Sequence, residues 1–502
     1  MKKFIPHVLM IFLYTSASYA QSMDDILRYS RTELKGSARY VSMGGAFNAL
    51  GGDFSAINDN PAAAAVFLNS EIGVTLNNLD NKVNTNYMGS NNNVDSRSMD
   101  FDQFGMVFVL NDTSTGDFPK LTFAFNFQNT QIFNDKFNAI GTNSNKSLDD
   151  YFLFFADGVP FSQIKTYDNE PLPQSYKYLG ENFGYGSQQA FLGYQGYLIS
   201  PEEYEDSNSL YYSNSNPLGQ VVDHDFFVTH SGKNSKNSIS IATQYRQSLY
   251  LGFNVNFHNS RFNRIDNLLE RNYGSGSNFR STEFENELLT TGEGFSFQLG
   301  AIYKPNNNIR LGLSYQSPVW YEMIDELRQF ISSAKNSGLD TIDPQVTNIY
   351  EYNLSIPSRL SGGLAYVFGT KGLISFQYDR VNYQNTSFDI GNGDDNFIYQ
   401  NKRIETTLKS AGTLRVGGEY RIDRLSLRAG YFNQENINKT ALDLSKGTTF
   451  GLGYDFGGSI LNFSLSNIEY KHSELMYQDG LNDSIQLNKD QIQFLVSYSF
   501  KL

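Results

Sequence analysis

The stretch GSARYVSMGGAFNALGGDFSAINDNPAAAAVF, residues 36–67, decides how the rest of the chain is read. It is rich in Gly, Ala and Asn, keeps neither a helical nor a strand period, and stands just ahead of a long series of alternating segments. Glycine admits backbone turns closed to other residues. Gly44, Gly45, Gly51 and Gly52 therefore predict a small, tightly turning segment, and its position predicts a plug over which a barrel closes.

From Glu71 onward about fourteen segments alternate with a period of two, the signature of strands with two unlike faces. Leu121, Phe123, Phe125 and Phe127 alternate with Thr122, Ala124, Asn126 and Gln128; Phe450, Leu452, Tyr454 and Phe456 alternate with Gly451, Gly453 and Asp455. One face is large and apolar, the other small, polar or charged. The last segment ends at the carboxyl terminus with Ile492, Phe494, Val496, Tyr498, Phe500 and Leu502 on its apolar face. The links alternate too: long near 80–102, 130–236, 259–293 and 318–357, short near 111–119, 304–308 and 369–371. Tight turns at one end and large loops at the other are the arrangement of an outer-membrane barrel. Aromatics close the apolar face at both ends, with Tyr303, Tyr366, Tyr420 and Tyr454 toward the short turns and Phe257, Tyr315, Tyr378 and Tyr431 toward the loops. Such rings form a membrane-interface girdle. The expected fold class is all-β, a transmembrane antiparallel β-barrel of about fourteen strands with an amino-terminal plug in the lumen.

Composition agrees. The chain of 502 residues holds 33 Tyr, 40 Phe, 42 Gly and one Trp, and its formal charge is −13. With no long basic run, nucleic acid is not an expected partner. Lys2 and Lys3, an apolar run from Phe4 and the small residues Ser18 and Ala20 predict a signal peptide over 1–20, cleaved before Gln21. No later segment offers the roughly 18 apolar residues of a spanning helix, so membrane residence requires strands. An exported chain without cysteine suits the outer membrane of a Gram-negative cell. The expected organisation is a plug over 21–70 and a barrel over 71–502, with notable loops at 130–236 and 318–357.

The 36–67 stretch, including Asn60-Pro61-Ala62, resembles the amino-terminal hatch of the FadL/TodX family of outer-membrane channels for long-chain fatty acids and aromatic hydrocarbons. The hairpin LGAIYKPNNNIRLGLSYQSP at 299–318 and the carboxyl-terminal strand resemble it as well. The resemblance implies a fourteen-stranded monomeric barrel, a hatch, and passive uptake of a hydrophobic small molecule from surroundings of outer-membrane lipid. It also implies a role in gating and lateral escape for Asn60, Pro61 and Ala62. The very long 130–236 segment departs from the better-known fatty-acid channels.

Three sets of residues are candidates for the site. Proline fixes its own φ and holds Asn60 extended, which predicts a sharp exit from hatch to wall. Trp320, Met323, Ile324, Leu327, Phe330 and Ile331 recur at helical spacing, which predicts an amphipathic helix whose apolar face is either a ligand-capture groove or a surface packed on the 130–236 loop. Arg310, Arg415 and Arg428, with Asp379, Glu419 and Asp455, fall on the small-residue face and are expected in the lumen, where mutual ion pairs are favoured over a ligand carboxylate. The histidines are scattered with no GxSxG near one, so no enzyme is expected. No cofactor or metal site is called for, since the faintly calcium-like run at 389–395 lacks the ligand spacing. The alternatives are a haem receptor, which needs paired His or Tyr at an apolar cleft, and a surface adhesin acting through the long loop.

Overall fold

The computed structural model describes residues 23–111, 116–166, 170–389 and 397–502. The expected signal peptide with its cleavage position and most of the calcium-like run lie outside them. The wall is one antiparallel sheet of fourteen strands: β1 Glu71–Tyr87, β2 Ser90–Asn111, β3 Lys120–Asn143, β4 Val222–Tyr245, β5 Leu249–Arg271, β6 Phe279–Tyr303, β7, β8, β9 Gly372–Asn382, β10 Ser410–Ile422, β11 Leu425–Gln434, β12 Asp443–Asp455, β13 Ser459–Leu475 and β14 Ser484–Lys501. β7 comprises Ile309–Gln316 and Val319–Lys335, and β8 comprises Asn348–Ile356 and Arg359–Val367. The interruptions fall at Pro318 and Pro357, where proline cannot donate to the ladder. β1 pairs with β14 from Glu71↔Lys501 to Asn86↔Gln486, which closes the barrel.

Outward side chains form an apolar band next to the tight turns: Leu251, Phe253 and Phe257 on β5, Leu311, Leu313 and Tyr315 on β7, and Ile492, Phe494 and Phe500 on β14 are all exposed. Beyond the band the outward positions turn polar, as at Asn259 and Arg261. β5 has 23 residues, twice the roughly 9–11 that cross a bilayer, so the wall continues as a paired sheet above the membrane.

Two expectations are corrected here. The links at 80–102, 130–236, 259–293 and 318–357 are mostly strand: β1 and β2 turn at Met88-Gly89, and the long connection shrinks to 144–221. Polar outward residues above the membrane look like loop in a sequence, yet their backbone stays paired. The helix expected over 320–334 is instead the upper part of β7, paired with β6 and β8. Its alternation sends Met323, Leu327 and Ile331 inward, buried, and leaves Trp320 and Ile324 outward, exposed, with Phe330 half-buried. The capture groove therefore does not exist as one face. Sixteen rungs with β6, and nine with β8 on the other side over Val319–Leu327, engage this backbone, which outweighs the i, i+3, i+4 coincidence in the side chains.

Before β1 come the short helices α1 Met23–Ser30, α2 Ala38–Ser42 and α3 Phe54–Asp59, and the 144–221 connection forms a cap with helices α4 Leu148–Ala156, α5 Phe161–Ile164, α6 Leu172–Phe183 and α7 Tyr185–Gln195. Its Tyr151, Phe152, Tyr176 and Phe191 pack with Tyr87, Phe226, Phe284 and Ile331 of the wall in one buried cluster. The packing alternative for Ile331 is thus what the structure shows, and the connection fills the barrel mouth rather than projecting from it.

Candidate functional site

Inside the wall lies the hatch. Three short elements build it, α2 Ala38–Ser42, α3 Phe54–Asp59 and a 3₁₀ turn over Pro61–Val66, and each is capped by the side chain before it. Tyr40 N donates to Ser37 Oγ (3.1 Å), Ser55 N to Asp53 Oδ1 (2.9 Å) and Ala62 N to Asn60 Oδ1 (3.1 Å). Ser, Asp and Asn are preferred caps, and proline suits the first position of a helix. Gly44, Gly45, Gly51 and Gly52 have φ of 64°, 74°, 65° and 65°, the left-handed region that glycine enters without strain. Asn60 is extended (φ −146°, ψ 110°), and its amide donates to Asn48 O (2.8 Å) and to Ala301 O of β6 (3.1 Å). It thus ties two hatch turns to the wall.

The hatch is bonded to the wall around its circumference. Gly36 N donates to Asp102 Oδ2 (3.0 Å), Ala38 N to Ser497 Oγ (2.7 Å), and Phe47 N and Asn48 N both to Gln377 Oε1 (2.9 Å). Gln298 Nε2 donates to Asp59 O (2.7 Å). The lumen charges pair among themselves and with the hatch. Arg415 meets Asp379 at 3.1 Å, Arg428 meets Glu419 at 2.7 Å, Arg39 of the hatch meets the same Glu419 oxygen at 3.1 Å, and Arg310 donates to Leu50 O at 2.8 Å. Asp455 sits apart, at the end with the tight turns, with Lys501 (3.2 Å).

Nine wall glycines make room for this segment, and no sequence pattern singled them out. A Cβ on Gly73 or Gly105 would strike Phe54 at 2.6 and 2.5 Å; on Gly252 it would strike Pro61, on Gly300 Asn60, on Gly312 Asn48, on Gly363 Ala49, on Gly417 and Gly430 Met43, and on Gly451 Ser42. The small face of the strands is thus a seat shaped to the hatch.

The wall opens at two places among the described residues: beside β8 above Pro357, where Asn348–Ile356 meets only Ser387–Asp389 on the side away from β7, and lower down, beside β2. β2 pairs with β1 up to Ser90, but with β3 only over Gln103↔Gln128 to Asn111↔Lys120. Above that point β3 pairs only with β4, as far as Asn143↔Val222. Bulges at Asp102 and Thr130 mark the corner of this seam, and a bulge re-aims side chains. Asp102 turns inward, fully buried, to accept from the hatch, whereas Phe101 and Met99 above it face out, exposed. Only side chains cross the seam, among them Asn129 Nδ2 donating to Phe101 O (2.7 Å) and Ser96 Oγ donating to Asn134 O (2.7 Å). Leu76, which pairs with Phe101, stands opposite Val496, below the top of the apolar band at Ile492, so the seam starts inside the membrane.

Above the hatch lies a chamber of about 110 Å³, lined by Glu33, Val83, Phe133, Asp135, His230, Phe262, Tyr470 and His472 among others. Ion pairs surround it. Asp135 holds Lys489 (3.1 Å) and is hydrogen-bonded to His230 Nδ1 (2.8 Å), Glu474 and Asp266 hold Arg264 (2.5 and 2.8 Å), and Asp443 holds Arg31. Histidines that are scattered in the sequence therefore meet at one cavity. Its volume is well below the roughly 300 Å³ at which pockets for drug-sized ligands begin, too small for a porphyrin. No cluster of three or more His, Cys, Asp or Glu suited to a metal ion occurs among the described residues.

A closed transmembrane barrel with an apolar outer band and an internal hatch is defined by these features alone. The family model described as outer membrane protein transport protein (OMPP1/FadL/TodX) matches residues 233–457, which include the 299–318 hairpin. Among solved structures, a Pseudomonas aeruginosa FadL homologue aligns over 94% of this chain and 99% of its own at 12% identity, with a TM-score of 0.56. The P. putida toluene transporter TodX aligns over 94% and 99% at 14% identity with 0.52, and the Ralstonia pickettii toluene transporter TbuX over 93% and 99% at 12% with 0.50. No curated protein matches the chain. The fold expected from the resemblance, a fourteen-stranded barrel around a hatch, is the fold found.

Proposed function

We propose that the protein carries hydrophobic small molecules inward across the outer membrane of a Gram-negative cell by diffusion. The route runs past the cap, through the chamber and out along the β2–β3 seam, with the hatch closing the axial path. One chain closes the whole barrel, so a monomer suffices. The observation that carries this reading is a hatch bonded around its circumference beside a wall whose β2–β3 seam starts at membrane height. An apolar ligand gains about 0.8 kcal/mol per methylene on leaving water, which favours release into lipid over release into the periplasm. The names of the similar structures, a FadL homologue and toluene transporters, support hydrophobic cargo and leave fatty acid and aromatic hydrocarbon as the two classes.

The test exploits the absence of cysteine from the chain. Phe101→Cys with Phe127→Cys, whose rings stack at 6.0 Å across the corner of the seam, staples it on oxidation. Cells lacking their own channel and expressing this variant should take up labelled oleate or toluene when reduced and less than about a tenth as much when oxidised, a barrier change of at least about 1.4 kcal/mol. Equal uptake in both states would refute the lateral route, and no uptake of either compound by an inserted wild-type barrel would refute the function.

A further inference from the structure

The opening beside β8 has no part in the exit along β2 and β3. Arg359 pairs on one side with Gln316 of β7 and on the other with Val381 of β9, and the next residue, Leu360, stands opposite Tyr315 of the outer aromatic ring. Above Arg359 the pairing with β9 stops, so the opening starts at the top of the apolar band. Ser387–Asp389 covers Asn353–Ser355, and among the described residues no strand pairs with Asn348–Tyr352 on that side. Residues 383–389, helix α8 Ile398–Thr407 and the link 435–442 fill the space. Helix and link are tied to each other, Lys439 N donating to Thr407 O (2.8 Å) and Lys439 Nζ to Glu405 O (2.9 Å). Among the described residues α8 makes no hydrogen bond to any of the fourteen strands. Ile404 and the following Leu408, both fully buried, pack instead in one apolar cluster with Leu354 of β8 and with Phe133 and Phe262, which line the chamber. The cap is held differently. Ser333 Oγ of β7 donates to Gly196 O (2.8 Å), Tyr176 Oη of α6 to Gln329 Oε1 (2.8 Å) and Leu148 N of α4 to Glu270 Oε1 (2.6 Å).

We propose that this opening is the entry port of the cargo and α8 the cover that yields, so that hydrophobic molecules enter sideways, from the outer leaflet at the top of the apolar band, rather than through the core of the cap. The proposal rests on the transport reading above and says where the route passes the cap. Displacing the cap would leave buried polar groups unpaired, and an apolar cargo cannot replace their hydrogen bonds. What α8 loses against the wall is apolar contact, and an apolar cargo that takes its place covers the same surface again. The outer face beside the port offers apolar side chains to a molecule arriving from lipid: Ile398 and Tyr399 of α8, and Trp320, Ile324 and Ile349 of β7 and β8, are all exposed. Inward, the cluster runs without a break from Ile404 to Phe133 of β3, the strand that borders the exit seam.

Cysteine pairs again supply the test. Register partners of antiparallel strands have Cα atoms about 4.5–5.5 Å apart, within reach of a disulfide. Leu354→Cys with Phe388→Cys fastens one edge of the cover to β8, and Leu408→Cys with Asn438→Cys fastens the other to the 435–442 link. As a control, Gly196→Cys with Ile331→Cys fastens the cap to β7, since a Cβ on Gly196 lies 3.5 Å from Ile331 Cγ2. In cells lacking their own channel, uptake of labelled oleate or toluene by the four-cysteine port variant should fall at least about tenfold on oxidation, and uptake by the cap variant should change less than about twofold. Ile404→Ala thins the cover without a staple and should raise uptake at least about twofold, which keeps the port testable if the stapled barrels fail to insert. Uptake by the port variant that is the same in both states, a cap staple that lowers uptake as far as the port staple does, or an Ile404→Ala barrel at the wild-type rate overturns entry at the port and leaves hydrophobic transport standing. No uptake of either compound by an inserted wild-type barrel overturns the transport reading itself.

Discussion

Adjacent glycines of β10 offer a direct test of the hatch seat. Gly417 faces the lumen, where a Cβ would lie 2.4 Å from Met43 O and 2.8 Å from Met43 Cβ; Gly418 faces out, and its Cβ would meet nothing nearer than Leu373 O at 3.8 Å. Gly417→Ala therefore pushes on hatch backbone. Overpacking of this kind costs about 1–3 kcal/mol. If the Met43–Gly45 turn lifts, it also gives up the bond from Gly44 N to Thr449 Oγ1 (3.1 Å) and that from Arg415 to Gly44 O (3.2 Å), together about 2–4 kcal/mol. A cost of about 3 kcal/mol raises the population with a displaced hatch roughly a hundredfold. Gly418→Ala carries no such cost and removes a flexible residue from a strand, a gain of about 0.5 kcal/mol. Reconstituted into planar bilayers, Gly417→Ala should show frequent ion-conducting openings, and Gly418→Ala should be as silent as wild type. If both alanines gave the same conductance, the seat would not be what holds the hatch.

Three further outcomes are expected. Glu419 is held by Arg39 of the hatch (3.1 Å), Arg421 (2.6 Å) and Arg428 (2.7 Å), so Glu419→Gln leaves three guanidinium groups without their shared anion. Breaking a buried pair costs about 3–5 kcal/mol, and limited proteolysis should cut the variant's hatch at least tenfold faster. In the cap, burial pushes Asp149 up to about 6 from an ordinary 3.8, against hydrogen bonds from Ser147 and Ser213. The folded cap binds this proton more tightly than the unfolded cap does, so its stability is full below about pH 4, falls through about pH 6 and is flat above, a loss of about 3 kcal/mol. Amide exchange in α4, corrected for its intrinsic pH dependence, should be at least tenfold faster at pH 7.5 than at pH 4, and Asp149→Asn should flatten the profile. Trp320 is the chain's one tryptophan and lies outward beside Phe295, with ring centroids 6.4 Å apart. Lipids brominated near the head group should quench its fluorescence more than lipids brominated at the chain end; the reverse order would displace the girdle.

The barrel was legible because alternation is imposed on every membrane-crossing strand by two different solvents. Above the membrane both faces can be polar, and the sequence there no longer announced its pairing. That is why β1, β2, β5 and β6 read as half their length and why the upper part of β7 passed for a helix. Pairings between distant strands escaped for a different reason. His230 and His472 lie on β4 and β13, and nothing local in either strand says that they share a chamber. The seam had a local trace that went unread: on β2 the outward residues are Phe108 and Phe104 below Asp102 but Phe101 and Met99 above it, a parity slip that marks a bulge.

The inward glycines carry one more consequence. Glycine within a strand costs about 0.5–1 kcal/mol relative to alanine, so nine of them weaken the wall by several kcal/mol when it is considered alone. The hatch offsets that cost, because only with glycine at Gly252, Gly300 and Gly417 do Pro61, Asn60 and Met43 approach the strands. Hatch and wall are then coupled, and the coupling fixes a sign. In the full chain, alanine at these three positions should lower the urea midpoint of the folded barrel. In a chain lacking residues 36–66 the same three alanines should raise it, since the clash is gone and only the strand preference remains. A triple variant that is destabilising in both backgrounds would mean that the glycines serve the bending of the wall rather than the seating of the hatch, and a difference between the backgrounds of several kcal/mol would measure the seat itself.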